Sequence, residues 1–264
     1  MSRGLGDVYK RQLVVYLFHA IYNNVYSLLI GKKFPAQELG YYDRGKTLSS
    51  MGSVGFSDFY TRALYPIQAK VQNDTPTLRQ SYNKSFSVMC LGIVPIAAFM
   101  FFFAEETVYS LFGEQWMNCS FILRILCLGY MFYPLQTLNM NMLKVKGRGD
   151  YMLIAEVIKK IMGITCVLVL INFDLKLVVI GWTCCSIVEF LISEGFFLKL
   201  YRFSPSITIK TLVVTVAGTF VLSFALSIAT TLLFDNMFVR FIVGGIGFMA
   251  IYGLSNFRKI KRLI

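Results

Sequence analysis

Long apolar runs alternate along the chain with short charged stretches. A helix needs about 20 apolar residues to cross the hydrocarbon of a bilayer. Eight segments qualify: residues 13–30, 46–70, 85–104, 121–143, 151–171, 177–198, 211–234 and 237–256. The third and seventh contain no charged residue. The second is the most polar, crowded by Ser49, Asp58 and Arg62. Its Ser50, Ser53, Ser57 and Thr61 nonetheless follow a 3-4-4 spacing, one stripe of a helix, which predicts a span with one wet or protein-facing side. The predicted fold is all-α, a polytopic membrane bundle of about eight transmembrane helices.

Lys and Arg in short loops orient such a bundle. Loops 70–84, 144–150, 199–210 and the tail after residue 256 carry thirteen cations, whereas loops 31–46, 104–118, 172–176 and 235–240 carry six. The first set is predicted to be cytoplasmic, with the carboxy terminus inside. The loop 31–46 fits least well, because Lys32, Lys33, Arg44 and Lys46 fall on the outer side. No loop is long enough to hold a folded soluble domain.

Composition sharpens this picture. Of 264 residues, 56% are hydrophobic and only 15% charged, against about 25% charged in soluble domains. Soluble enzymes, nucleic-acid binders and disulfide scaffolds are excluded as leading readings. The net charge of +12 then belongs to basic loops, and no nucleic-acid partner is expected. The six cysteines form no Cys-x-x-Cys pair and read as packing residues. His19 is the single histidine, so a zinc site is not expected, and no cofactor is implied. No phosphate-cradling glycine loop, Ser-His-Asp set or paired catalytic carboxylate in a loop is visible, so the chain does not read as an enzyme.

The first twelve residues, MSRGLGDVYKRQ, are polar and resemble a translated sequencing adapter. They are expected to be a non-native leader on a truncated chain.

Three stretches carry a family pattern: IGKKFPAQELGYYDRGKTL, RALYPIQAKVQND, and LFGEQWMNCSFILRILCLGYMFYPLQTLNMNMLKVKGRGDYMLIAEVIKKI. They resemble the loop after the seventh helix, the end of the eighth, and the region from the next outer loop into the eleventh helix of bacterial polysaccharide exporters. The family is that of the Wzx-type lipopolysaccharide and O-antigen flippases, in the multidrug/oligosaccharidyl-lipid/polysaccharide exporter superfamily. The resemblance is specific over residues 31–161. It implies a carboxy-terminal fragment: residues 13–198 as a six-helix lobe, and 199–264 as two additional helices with a basic cytoplasmic tail. It implies inner-membrane localisation and transport of an undecaprenyl-diphosphate-linked oligosaccharide by alternating access. The implied partners are that lipid-linked sugar, membrane lipids and a missing amino-terminal lobe. A cation-coupled multidrug exporter of the same superfamily is the nearest alternative. A membrane enzyme of glycan assembly is the alternative from another class.

Ionisable residues within spans are expensive and usually functional. Asp58 and Arg62 lie four apart and can pair; alternatively Arg62 faces a polar cavity and binds the substrate diphosphate. Lys159 and Lys160 either snorkel, with Glu156 pairing Lys160, or form a basic vestibule. Arg124 reads as an interface anchor or a release-side phosphate contact. Asp58 and Glu189 are candidate ion-coupling carboxylates, and Glu189 has no cation three or four residues away. Glu194, nearer the inner end, is expected to be solvated. Gln136, Asn139 and Asn141 can bond sugar hydroxyls or join helices. Pro66, Pro95 and Pro134 are candidate hinges.

Overall fold

Helices account for nearly all of residues 24–201 and 206–263, which are those described in the computed structural model, and no strand occurs among them. The order is α1 (24–33, its described part), α2 (Ala36–Phe59), a π-helical turn (Tyr60–Leu64), α3 (Tyr65–Lys70), α4 (Thr75–Phe102) and α5 (Ala104–Phe112). A 3-10 turn (Glu114–Trp116) leads to α6 (Cys119–Tyr130), α7 (Tyr133–Val145), α8 (Gly149–Leu170), α9 (Leu175–Tyr201), α10 (Ser206–Leu233) and α11 (Met237–Leu263).

Local chemistry sets the breaks. Asp74 caps α4 by accepting from the Thr77 amide at 3.3 Å, with Pro76 in the first turn. Gly147 ends α7 at φ 68°; its amide donates to Lys144 O and the next amide, of Arg148, donates to Leu143 O. This pair of bonds is the Schellman arrangement, which turns the chain directly into α8.

Five helical segments are long and apolar enough to cross a membrane: Thr75–Phe102, Cys119–Val145, Leu175–Tyr201, Ile209–Leu233 and Met237–Phe257. These correspond to five of the eight predicted spans. The first predicted span and the leader lie largely or wholly outside the described residues. Segments 46–70 and 151–171 are helical, but their polar and charged residues keep them out of this set. The segment 121–143 is broken rather than continuous, because Pro134 interrupts the helix between α6 and α7.

Two further differences concern loops. The expected outer loop 31–46 is mostly helix, since α2 begins at Ala36 and carries Arg44 and Lys46. The Arg44 guanidinium lies 5.7 Å from the Phe112 ring centre and 5.8 Å from that of Trp116. Its charge is therefore held against aromatic faces rather than presented in a free loop. The expected loop 104–118 is α5 and the 3-10 turn.

Two apolar clusters hold the bundle. One joins Tyr82, Phe86, Met89, Leu138 and Phe197; the other joins Tyr42, Leu123, Leu126 and Val179. Helices α10 and α11 instead leave large apolar side chains uncovered, among them Leu232, Met249 and Leu254 at 78–81% exposure. A lipid bilayer is the medium that solvates such surfaces without an aggregation penalty.

The predicted stripe is shifted by one residue at its start: Ser53 and Ser57 are buried in line with Ser49 and Gly45, whereas Ser50 is part-exposed and bonds back to Thr47 O, and Thr61 is exposed. A Cβ on Gly45 would lie 2.7 Å from Ile122 Cγ2 and 3.2 Å from the Leu123 backbone nitrogen. Small residues here let two helix backbones approach closely. Gly45→Ala should cost about 1–3 kcal/mol by overpacking, lowering the melting temperature of the detergent-solubilised protein. Gly55→Ala, where nothing lies within 4 Å of the added carbon, should be neutral or stabilising; equal responses would refute the close contact.

Candidate functional site

The packed stripe of α2 fixes which of its residues point away. Pro134 has no amide hydrogen to offer the Tyr130 carbonyl, four residues earlier. Ser53 Oγ donates to that carbonyl at 2.7 Å, so α2 is clasped to the break between α6 and α7. Ser57 and Thr61 continue the contact toward Thr137 and Asn141 of α7, each at 3.5 Å. With this side committed to α6 and α7, Asp58 and Arg62 fall on the opposite side and are exposed. They form no ion pair with each other, although their spacing permits one. Arg62 sits within the π turn that precedes Pro66. Proline removes a helix bond there and the widened turn absorbs the defect.

Tyr133 of α7 is exposed, as are Asp58 and Arg62, and exposed apolar side chains, among them Met51 and Val54 of α2 and Leu153 and Val157 of α8, lie on the neighbouring helices. Thr137 and Lys160 also lie along these helices, part-exposed.

On α8, Glu156 pairs with Lys159 at 2.7 Å. Lys159 is buried, so an ionic partner one turn away is the inexpensive solution.

A second correction concerns Glu194. It is not simply solvated: Asn139 Nδ2 donates to its Oε2 at 2.7 Å. Asn139 Oδ1 accepts from the Tyr82 hydroxyl at 2.9 Å. Asn139 and Tyr82 are at most 1% exposed, so α4, α7 and α9 meet at one buried polar joint. Tyr82 was not among the expected functional residues, because nothing near it in sequence marks its partners. Gln136 donates to the Ser186 carbonyl at 3.0 Å and thereby joins α7 to α9. Arg124 is bound to Glu105 at 3.0 Å, tying α6 to α5. His19 lies outside the described residues. No group of three or more metal-ligating side chains occurs among the described residues.

The sequence matches the family described as "Polysaccharide biosynthesis protein" over residues 8–121. It is similar to the teichuronic acid biosynthesis protein TuaB of Bacillus subtilis (strain 168), 24% identical over 151 residues, 56% of this chain and 31% of that protein. It is also similar to the lipopolysaccharide biosynthesis protein WzxC of Escherichia coli (strain K12), 24% identical over 146 residues, 55% of this chain and 30% of that protein. The matched part thus spans less than a third of the length of these curated relatives. The fold resembles that of the lipid II flippase MurJ in an inward closed conformation, with a TM-score of 0.67 and 14% identity, over 91% of this chain and 52% of that one. The resemblance carried by residues 31–161 is borne out. The chain is thus related over part of its length to polysaccharide-biosynthesis membrane proteins, and it is a multi-pass membrane protein with a MurJ-like fold.

The polar joint makes a quantitative prediction. Asn139→Leu removes the Glu194 donor and the Tyr82 acceptor together and should cost about 1–3 kcal/mol. Adding Tyr82→Phe should cost less than the sum of the two single changes in a double-mutant cycle. Strict additivity in thermal unfolding would show that the Tyr82–Asn139 bond is not formed.

Proposed function

We propose that this protein acts in flipping an undecaprenyl-diphosphate-linked oligosaccharide across the bacterial inner membrane for cell-surface polysaccharide assembly. The observation that carries this reading is that Asp58 and Arg62 are uncovered on helix surfaces of a chain with five helical segments long and apolar enough to cross a membrane. An ionised side chain in hydrocarbon costs about 3 kcal/mol or more by insertion scales. Such residues are retained where water or another charged group compensates them. A chamber between this lobe and an amino-terminal lobe, opening alternately to the two sides, provides that environment.

Within the chamber, Arg62 contacts the diphosphate. A guanidinium keeps its charge at any physiological pH and grips phosphate through two parallel bonds. Lys159 and Lys160 give the entry side a positive potential that draws in the anionic headgroup. Arg124 serves release once its bond to Glu105 opens. Gln136 and Asn139 reach sugar hydroxyls only in a conformation where their present helix-joining bonds have exchanged. Asp58 and Glu189 are the proposed coupling carboxylates.

In this reading all eight predicted spans cross the bilayer, including α1, α2 and α8, with the carboxy terminus cytoplasmic. Residues 13–198 form the substrate-handling lobe, and residues 199–264 add two helices. The cavity between α10 and α11 takes the polyprenyl tail while the sugar occupies the polar chamber. The exposed Asp58 also suits a cationic substrate, as in a cation-coupled multidrug exporter. Uptake of cationic dyes without any requirement for polyprenyl-linked sugar would favour that reading. Short loops with few acidic residues argue against an enzyme of glycan assembly.

In a host whose surface polysaccharide depends on this protein, Arg62→Glu should abolish export while leaving the protein in the membrane at normal abundance. Unchanged surface polysaccharide would remove Arg62 from the substrate path.

A further inference from the structure

Helix α2 passes through the π turn Tyr60–Leu64 into the short α3 without leaving helical geometry. Two local features make this passage a joint. The Tyr65 amide reaches back five residues to Tyr60 O, which adds a residue to the turn and rotates the side chains that follow around the axis. Pro66 has no amide hydrogen for the Arg62 carbonyl, four residues earlier. Arg62 therefore lies inside the joint, and the side it faces depends on how α3 is turned relative to α2.

Helix α3 cannot set that rotation alone. Its six residues are too few for a helix to hold its own direction. Leu64, Tyr65 and Ala69 pack against the first apolar cluster, but apolar contact is non-directional. Just beyond α3, Lys146 of α7 donates to the Gln72 carbonyl at 3.0 Å, which pins a point and not a rotation. The buried side chain of α3 is polar: Gln68, at 0% exposure. The hydroxyl of Tyr60, the first residue of the π turn, donates to Gln68 Oε1 at 2.6 Å, and Gln68 Nε2 donates to Ser85 Oγ of α4 at 3.0 Å. Tyr60 and Ser85 are buried as well, so water does not compete for these bonds. An amide buried here carries a desolvation cost that an aliphatic side chain avoids. In return it supplies direction: it accepts at one end and donates at the other, bridging the joint and tying it to α4.

We propose that Gln68 is a positioning residue for Arg62: the buried chain Tyr60–Gln68–Ser85 fixes the rotation of the joint and thereby holds Arg62 on the uncovered side of α2. That Arg62 meets a diphosphate there rests on the flippase reading; its orientation does not.

Paired nitroxide labels at positions 62 and 228, and separately at 58 and 228, read that orientation in the cysteine-free full chain in nanodiscs by double electron–electron resonance. Ile228 is exposed on α10, and position 58 lies on α2 before the joint. Gln68→Met keeps the length of the side chain and removes both bonds. It should displace the 62–228 distance by several ångström, broaden its distribution and leave 58–228 in place. Tyr60→Phe and Ser85→Ala each remove one hydroxyl. Each should produce part of the same displacement, and neither should add to that of Gln68→Met. These two variants carry the test alone if Gln68→Met does not reach the membrane. A 62–228 distance that no variant moves, or equal movement of 58–228, overturns the inference. So does a displacement by Gln68→Met that neither hydroxyl variant shares. The distances involve no transport: normal polysaccharide export by unlabelled Gln68→Met, with the label displaced, would count against Arg62 as a substrate contact and leave its orientation by Gln68 standing.

Discussion

Hydrocarbon offers no hydrogen bonds, so every polar group at membrane depth must find its partner within the protein or in enclosed water. That constraint organises this bundle. Ser53 completes the Tyr130 carbonyl left open by Pro134, and Tyr252 does the same for Leu91 at Pro95. Thr183 of α9 donates to the Ile125 carbonyl of α6 at 3.1 Å, and Tyr201 to Met142 of α7 at 2.8 Å. Each bond crosses between helices, so satisfying the backbone and assembling the bundle are one process. The apolar clusters then fill the space that these contacts define.

The side chains that escape this accounting carry the functional argument. Lys159 has Glu156, Arg124 has Glu105, and Glu194 has Asn139. Asp58 and Arg62 remain exposed on α2, opposite the face that packs. Ionisable side chains left uncovered in a membrane bundle call for a polar surrounding, and these two are the exposed pair on which the account rests.

Much of this was legible in the sequence. Apolar runs between basic loops gave the membrane bundle, and the 3-4-4 serine spacing marked a special side of α2 before its contacts were known. Three loop motifs carried the family resemblance. What escaped was long-range. Glu194 looked solvated because its partner, Asn139, lies 55 residues away on another helix and is itself held by Tyr82 of a third. Glu156 has a lysine at both three and four residues' distance, so spacing alone did not mark its bridge to the buried Lys159. Arg44 and Lys46 were read as loop residues because helix α2 extends well beyond the apolar segment that announces it. A proline in the sequence marks a vacated carbonyl, but only the packing names the hydroxyl that fills it.

The central claim is that the α2 face bearing Asp58 and Arg62 meets water rather than lipid. Single cysteines at positions 58, 62 and 254, introduced into a cysteine-free background in native membranes, test it directly with a water-soluble maleimide. Positions 58 and 62 should react, while position 254 on the lipid-facing surface of α11 should not. Protection of 58 and 62 equal to that of 254 would contradict the account.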